Sequence, residues 1–367
     1  MYSMNEMNGL DKVDTLWGIT AYFNPEQYKN KYKNYKKFRE ASKQQGLQLI
    51  TVECAFDNTP FELSKKDTDI LVQVRCESVL WQKERLLNIA LEHLPKECTK
   101  VAWVDADILF LNENWISETT KLLDTYKVVQ LFDTAVRLKE NQEYTMLEDF
   151  SYGCENGEKR FSYACGQSKK VKIKEHETSP GFGWAIRRDI IEQVGFYDKL
   201  ILGGGDSVLK YSFYNGSASH EETESIILDE DIKKWSHEMA NLVNNSVFYV
   251  DGVILHLFHG KIKNRLHGNR YKLIKSFNFD PNKDLQKNKD GCWDWSTDKI
   301  GLKKTVEKYF YIRNENEKKI ITLVDYIKYR MRVDFLRTLN MISPKLYTVL
   351  RYIFKKINSL VIKIRIS

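Results

Sequence analysis

Lys100-Val101-Ala102-Trp103-Val104-Asp105-Ala106-Asp107-Ile108-Leu109-Phe110 is the stretch whose reading decides the fold. Over 100–110 its apolar residues predict a buried strand running into an acidic motif, in which Asp105 and Asp107 end Val101-Ala102-Trp103-Val104 one alanine apart and a further apolar run follows. At the period of two that strand geometry imposes, Asp105 and Asp107 project to the same side of the chain. Two desolvated carboxylates that close repel one another unless a cation neutralises them. Mg²⁺ and Mn²⁺ are the hard divalent ions that bind through one or two carboxylates plus substrate phosphates. A bare Asp-x-Asp is common by chance; apolar sequence on both sides makes this one specific.

The segments around it alternate between strand and helix patterns. Leu16–Phe23 is a short apolar run closed by Asn24-Pro25, and Leu47–Cys54 and Val128–Phe132 read as further strands. Between the first two, Tyr28, Tyr32, Tyr35 and Phe38 recur at helical spacing among lysines, which predicts an amphipathic helix laying its aromatic stripe on a sheet. Leu80–Leu94 is also helical in pattern. Such alternation implies an α/β fold with a largely parallel sheet, and in open sheets of that kind ligands bind beyond the carboxyl ends of the strands. From Arg137 to Pro180 the periodicity dissolves, which predicts a functional loop or lid. Cys154, Cys165 and His176 within it are too irregularly spaced to argue for zinc. A second ordered block runs from Gly181 to about Trp295, and the remainder is helical, basic and aromatic.

Composition narrows the class. With 367 residues, 42% of them hydrophobic and 13% aromatic, the chain can bury a sizeable core, which argues against disorder. Its six cysteines are scattered with no CxxC pair, which predicts reduced thiols in a cytoplasmic protein. The N-terminus lacks the pattern of a signal peptide, and no stretch approaches the roughly 20 apolar residues that span a bilayer. Charge is unevenly placed. From Lys318 to Ser367 twelve Lys and Arg face two Asp, so a chain of net +7 leaves −3 on its first 317 residues. Nucleic-acid binding by the main body is therefore not expected. The basic, apolar tail suits an interfacial helix on the cytoplasmic face of an anionic membrane, a helix packed on the main body, or a dimer contact.

Three further segments hold residues with chemistry to offer. In Gly203-Gly204-Gly205-Asp206 the glycines let the backbone pass close to a ligand. Asp206 then reads as a general base for a hydroxyl or as the cap of the following helix. In His256-Leu257-Phe258-His259-Gly260 an imidazole could add a ligand for Mn²⁺, and Lys261, Lys263 and Arg265 could face a departing diphosphate. A core histidine beside a solvated basic loop is the plainer alternative. Lys83 and Asn88 read either as contacts to a phosphorylated donor or as surface positions on a helix.

Taken in order, these segments resemble the GT-A glycosyltransferases, and among them the inverting galactosyltransferases of the lactose-synthase type and their bacterial relatives. The likeness runs over roughly residues 14–295: Asp105-Ala106-Asp107, then Gly181-Phe182-Gly183-Trp184-Ala185, then Gly203-Gly204-Gly205-Asp206, then His259-Gly260 with the Lys/Asn/Arg run. It implies a mixed, mostly parallel sheet flanked by helices, with a nucleotide-sugar half at 14–135, a loop or lid at 136–180 and an acceptor half at 181–300. Together these make a catalytic domain over 1–300, followed by a helical extension over 301–367. It implies Mn²⁺ or Mg²⁺ on Asp105, Asp107 and His259, with Asp206 as base. Donor contacts would come from Thr20, Tyr22, Glu53, Lys83, Asn88 and Asp105. The partners implied are a nucleotide-sugar donor, a UDP-sugar before others, and a glycan, lipid-linked or protein acceptor. One departure is internal to the motif: where the family carries an acid before the catalytic aspartate, this chain has Gly205, which leaves a retaining GT-A glycosyltransferase as the alternative to an inverting one, since both share the metal motif and the histidine. A sugar nucleotidyltransferase, the competing class, needs a Gly-rich, basic loop after the first strand, and Thr20-Ala21-Tyr22-Phe23-Asn24-Pro25 does not provide one.

Overall fold

The computed structural model describes residues 15–139, 158–168, 173–214, 230–267 and 269–316. The strands are β1 (Thr15–Phe23), β2 (Gln48–Phe56), β3 (Ile70–Cys76), β4 (Cys98–Val104), β5 (Ile108–Phe110), β6 (Val128–Gln130) and β7 (Thr134–Arg137). They continue with β8 (Glu158–Ser162), β9 (Thr178–Ser179), β10 (Gly183–Arg187), β11 (Val247–Tyr249), β12 (Val253–His256), β13 (Leu285–Lys287) and β14 (Trp293–Trp295). The longer helices are α1 (Lys29–Gln44), α2 (Lys83–Glu92), α3 (Trp115–Thr125), α4 (Arg188–Val194), α5 (Gly205–Phe213), α6 (Glu230–Val243) and α7 (Ile300–Arg313).

A seven-stranded sheet in the order β11-β6-β10-β4-β1-β2-β3 forms the centre. Its pairs are parallel except at β10, which runs antiparallel to both β4 and β6. This is the mixed, mostly parallel sheet between helices that the sequence predicts. Burial on both faces explains why its inner strands read as continuous apolar runs. On one face Trp17, Ile19, Val101 and Trp103 pack with Leu86 and Leu87 of α2. On the other, Leu16, Leu49 and Ala102 pack with Phe38 of α1 and Trp115 of α3. Of the predicted aromatic stripe, Tyr35 and Phe38 are buried but Tyr32 is exposed.

The 100–110 stretch is not one strand. The chain leaves the central sheet after Val104, turns through Asp105-Ala106-Asp107, and enters a second sheet as β5. That sheet has the order β5-β12-β7-β8-β9. The two acids therefore sit on a turn, and the period-two rule that put their carboxylates side by side does not apply there. The Arg137–Pro180 segment is also more regular than its composition suggests, since its described part contains β8, β9 and the short helix Tyr163–Gln167. Residues 140–157, with Cys154, lie outside the described residues, and His176 stands exposed and apart from any ligand cluster. The compact unit runs Met1–Glu317 because α7 packs into the main core through Leu302, Val306, Tyr309 and Phe310. The unit Lys318–Ser367, on which the membrane expectation falls, lies outside the described residues. Among the described residues no helix is long and apolar enough to cross a membrane.

Candidate active site

The turn at the carboxyl end of β4 carries the densest chemistry. Strand register explains what meets there. β12 pairs antiparallel with β5, setting His256 opposite Ile108, and the Leu257 amide donates to the Asp107 carbonyl at 2.8 Å. His256 and, three residues on, His259 are thereby delivered to the Asp107 carboxylate. His259 Nε2 lies 2.9 Å from Asp107 Oδ2, His256 Nε2 lies 3.7 Å from Oδ1, and the two Nε2 atoms are 3.0 Å apart.

These contacts do not close as hydrogen bonds. Arg265 Nη2 donates to His259 Nε2 at 2.6 Å, so that nitrogen presents a lone pair and cannot also give a proton to Asp107. Asp107 Oδ1 is buried with no hydrogen-bond partner. Burial would raise the Asp107 carboxyl, but the His259 and His256 imidazoles and Arg265 outweigh it and hold the group well below the usual carboxylate range. Burial pushes the His256 imidazole well below its ordinary value. A carboxylate and two imidazoles that converge on one another, with one oxygen orphaned, suit a borderline or hard divalent cation. Glu315 backs the set: its Oε1 lies 3.6 Å from His259 Nδ1 and is gripped by Arg313 Nη2 at 2.7 Å. A carboxylate behind a ligating histidine fixes ring orientation and basicity.

Asp105 is not in that group. Its amide donates to the Phe182 carbonyl, and its carboxylate meets Lys83 Nζ at 2.7 Å. The same ammonium lies 3.0 Å from Asp206 Oδ1. Lys83 therefore ties the end of β4 to the start of α5. It is no surface charge, as its side chain is only 14% exposed. Burial alone would lower its pKa, but Asp105, Asp206 and Glu84 reverse this and keep it an ammonium. Burial pushes the Asp105 carboxyl up, helped by Asp206 and Asp107, because one ammonium is shared between two acids.

The glycines before Asp206 have separate reasons. Gly203 has φ +80°, and a Cβ there would meet the Trp81 ring at 2.9 Å. At Gly205 a Cβ would overlap the carboxylate of Glu84, which reaches across from α2. The space where a side chain at position 205 would begin is thus filled by an acid from another helix. Glu84 is buried and pushed up to about 7, first by desolvation and further by Asp206, against the pull of Lys83.

The remaining expected donor contacts are committed elsewhere. Thr20 Oγ1 donates to the Val104 carbonyl across the sheet at 2.7 Å. Tyr22 donates to Glu62 at 2.6 Å, and burial, with Glu62 beside it, raises its phenol. Glu53 accepts from the Glu62 and Leu63 amides and from Gln73, pinning the loop after β2. Asn88 clamps the turn after α4, giving its amide to the Phe196 carbonyl and Asp198 and accepting from the Phe196 amide. Both amide hydrogens of Asn88 are thereby used within that turn. Besides the expected His259, the structure brings in His256, whose signal in the sequence is the spacing of two imidazoles three residues apart. Glu315 and Arg313 carried none.

Beside the acids a small cleft is lined by Phe23, Tyr28, Lys31, Trp81, Arg313 and Glu315. The Arg313 guanidinium lies 5.0 Å over the Trp81 ring, which stacks on Phe310. A roomier depression at the amino end of β4, among Lys96, Lys100, Asp124, Arg187 and Arg188, contains none of the acid–imidazole residues. Chemistry, and not volume, therefore locates the site.

No family model matches the chain, and no curated protein does. Solved structures with a distant likeness include S. aureus TarS 1-349, 11% identical at TM-score 0.34, where 72% of this chain covers 66% of that one. Glucosyl-3-phosphoglycerate synthase from Mycobacterium tuberculosis, in complex with Mn²⁺, UDP-glucose and phosphoglyceric acid, is 11% identical at TM-score 0.38, with 77% and 86% covered. The catalytic domain of Drosophila beta1,4galactosyltransferase 7, in complex with xylobiose, is 12% identical at TM-score 0.26, with 53% and 59% covered. At TM-scores of this size the assignment is left to the site's own geometry.

Proposed function

We propose that the chain is a metal-dependent glycosyltransferase that moves a sugar from a nucleotide-sugar donor, a UDP-sugar before others, to a hydroxyl on a glycan, lipid-linked or protein acceptor, with inversion. The observation that carries this reading is the pairing of two distinct acidic sites at one strand end. Asp107, His256 and His259 form a ligand set for a cation, while Asp206 stands apart from it, joined to Asp105 through Lys83.

Mn²⁺ or Mg²⁺ on Asp107, His256 and His259, with Asp105 alongside, would neutralise charge on the departing diphosphate. Asp206 takes the proton of the acceptor hydroxyl as that oxygen attacks the anomeric carbon; the bond to the diphosphate breaks and its electron pair leaves with the nucleotide. Lys31 and Arg313 line the adjoining cleft and would add positive charge near that diphosphate. Arg265 stays charged, since burial brings its guanidinium only to about 10.

The test is a donor-hydrolysis and transfer screen across UDP-, GDP- and CMP-sugars with and without Mn²⁺, with the product anomer read by NMR. Mn²⁺-dependent release of one nucleoside diphosphate is expected. Full turnover in EDTA would sink the cation reading, and a retained anomer would remove Asp206 as the base.

A further inference from the structure

Far from any motif, three cysteines meet. Cys54 lies on β2, Cys76 ends β3, and Cys292 belongs to the loop between β13 and β14. In the β2–β3 register Phe56 pairs with Cys76, which puts Cys54 and Cys76 at diagonal positions on one face. Their sulfurs are 3.1 Å apart, and all three sulfurs lie within 4.8 Å of one another. All are buried. Cys292 is brought in by a built loop: its amide donates to Asn288 Oδ1, and Asn288 Nδ2 donates to the Arg75 carbonyl on β3. Arg85 donates to the Gly291 carbonyl at 2.7 Å, which holds the loop against α2.

We propose that Cys54, Cys76 and Cys292 form a three-thiolate site for a soft, thiophilic cation of the Zn²⁺ or Cu⁺ class, which fastens the β13–β14 hairpin to the edge of the central sheet. Thiolates select such ions over the hard cations expected at Asp107. An ion about 2.3 Å from each sulfur sets the sulfurs about 3.8 Å apart. One spacing is 3.1 Å and none exceeds 4.8 Å, so modest side-chain rotations would bring the three sulfurs onto one ion. A disulfide would need only Cys54 and Cys76 and gives no reason for the third sulfur to converge on them from a distant hairpin. The clasp has a consequence for the crevice. Gln82 donates to the Trp293 carbonyl and Arg85 to Gly291, so the hairpin braces the start of α2, which delivers Lys83.

Elemental analysis of the full-length protein after gel filtration in metal-depleted buffer tests the site. About one equivalent of zinc or copper per chain is expected, unchanged in Asp107→Ala, lost in Cys292→Ser, and released from the wild type by p-hydroxymercuribenzoate. Should Cys292→Ser fail to fold, mercurial release from the wild type decides. Protein from zinc- and copper-supplemented culture that holds neither metal overturns the proposal. Peptide mapping then separates a Cys54–Cys76 disulfide from three alkylatable thiols, and either result overturns it.

Discussion

Two sets of buried or half-buried polar side chains lie around β4, and they differ in whether their hydrogen bonds close. Thr20, Tyr22, Glu53 and Asn88 are each answered by a backbone group or a side chain of this chain. Asp107, His256 and His259 are not: one carboxylate oxygen is orphaned, and one imidazole nitrogen faces a guanidinium, a carboxylate and a second imidazole together. Buried groups that close their bonds stabilise the fold, whereas groups left open cost stability and persist where something else completes them. Residue type alone placed both sets in one site; bond closure separates them.

The comparison breaks most visibly if Asp107 behaves like a structural residue. Asp107→Ala is expected to lower kcat/KM by about 10³-fold or more, because charge stabilisation at the leaving group goes with it. Its melting temperature should stay within a few degrees of wild type. Loss of activity together with collapse of the fold would place Asp107 with the closed set. Asp206→Asn comes next, with kcat expected to fall by about 10²–10³-fold and donor KM nearly unchanged. Equal losses in kcat and donor affinity would make Asp206 a partner of Lys83 and not the proton acceptor.

How much of this was legible beforehand follows from the range of the interactions. β1, β2 and the body of β4 announce themselves because strands buried on both faces are continuous apolar runs, a local signal. The break inside 100–110 does not, since Val104 and Ile108 are both apolar and both buried. Only the pairing of Ile108 with His256, set by distant sequence, shows that a second sheet begins there. That pairing is also what gathers the two imidazoles. Cys54, Cys76 and Cys292 were read as scattered because parallel register and a hairpin, neither visible as spacing, bring them together. Gly205 was a gap in a motif until Glu84 was found filling it.

From the closed set the expected loss is of stability. Asn88→Ala should cost about 3 kcal/mol, since it strands the Phe196 amide and one partner of Asp198 in a packed turn. Chemical denaturation measures this, and kcat on the folded fraction should hold within a few-fold. A rise of 10²-fold in donor KM at unchanged stability would return Asn88 to the donor site.

The smallest effect tests a residue that belongs to neither set. Glu84 accepts from Trp81 Nε1 at 3.1 Å, yet its carboxyl is raised to about 7 because burial beside Asp206 disfavours the charged form. A folded-state pKa above the unfolded 4.5 means that the native state holds the proton more tightly between about pH 4.5 and 7. This contribution to stability is therefore full below about pH 4.5 and is lost as pH rises through 7, leaving an ionised, buried carboxylate that costs up to about 3 kcal/mol. Glu84→Gln keeps an acceptor for Trp81 and removes the charge. It should match wild type in melting temperature near pH 4.5 and exceed it by several degrees at pH 8. A variant that is equally stable, or less stable, at pH 8 would show that Glu84 is ionised at no cost. Its contact with Gly205 would then be one more closed interaction of the fold.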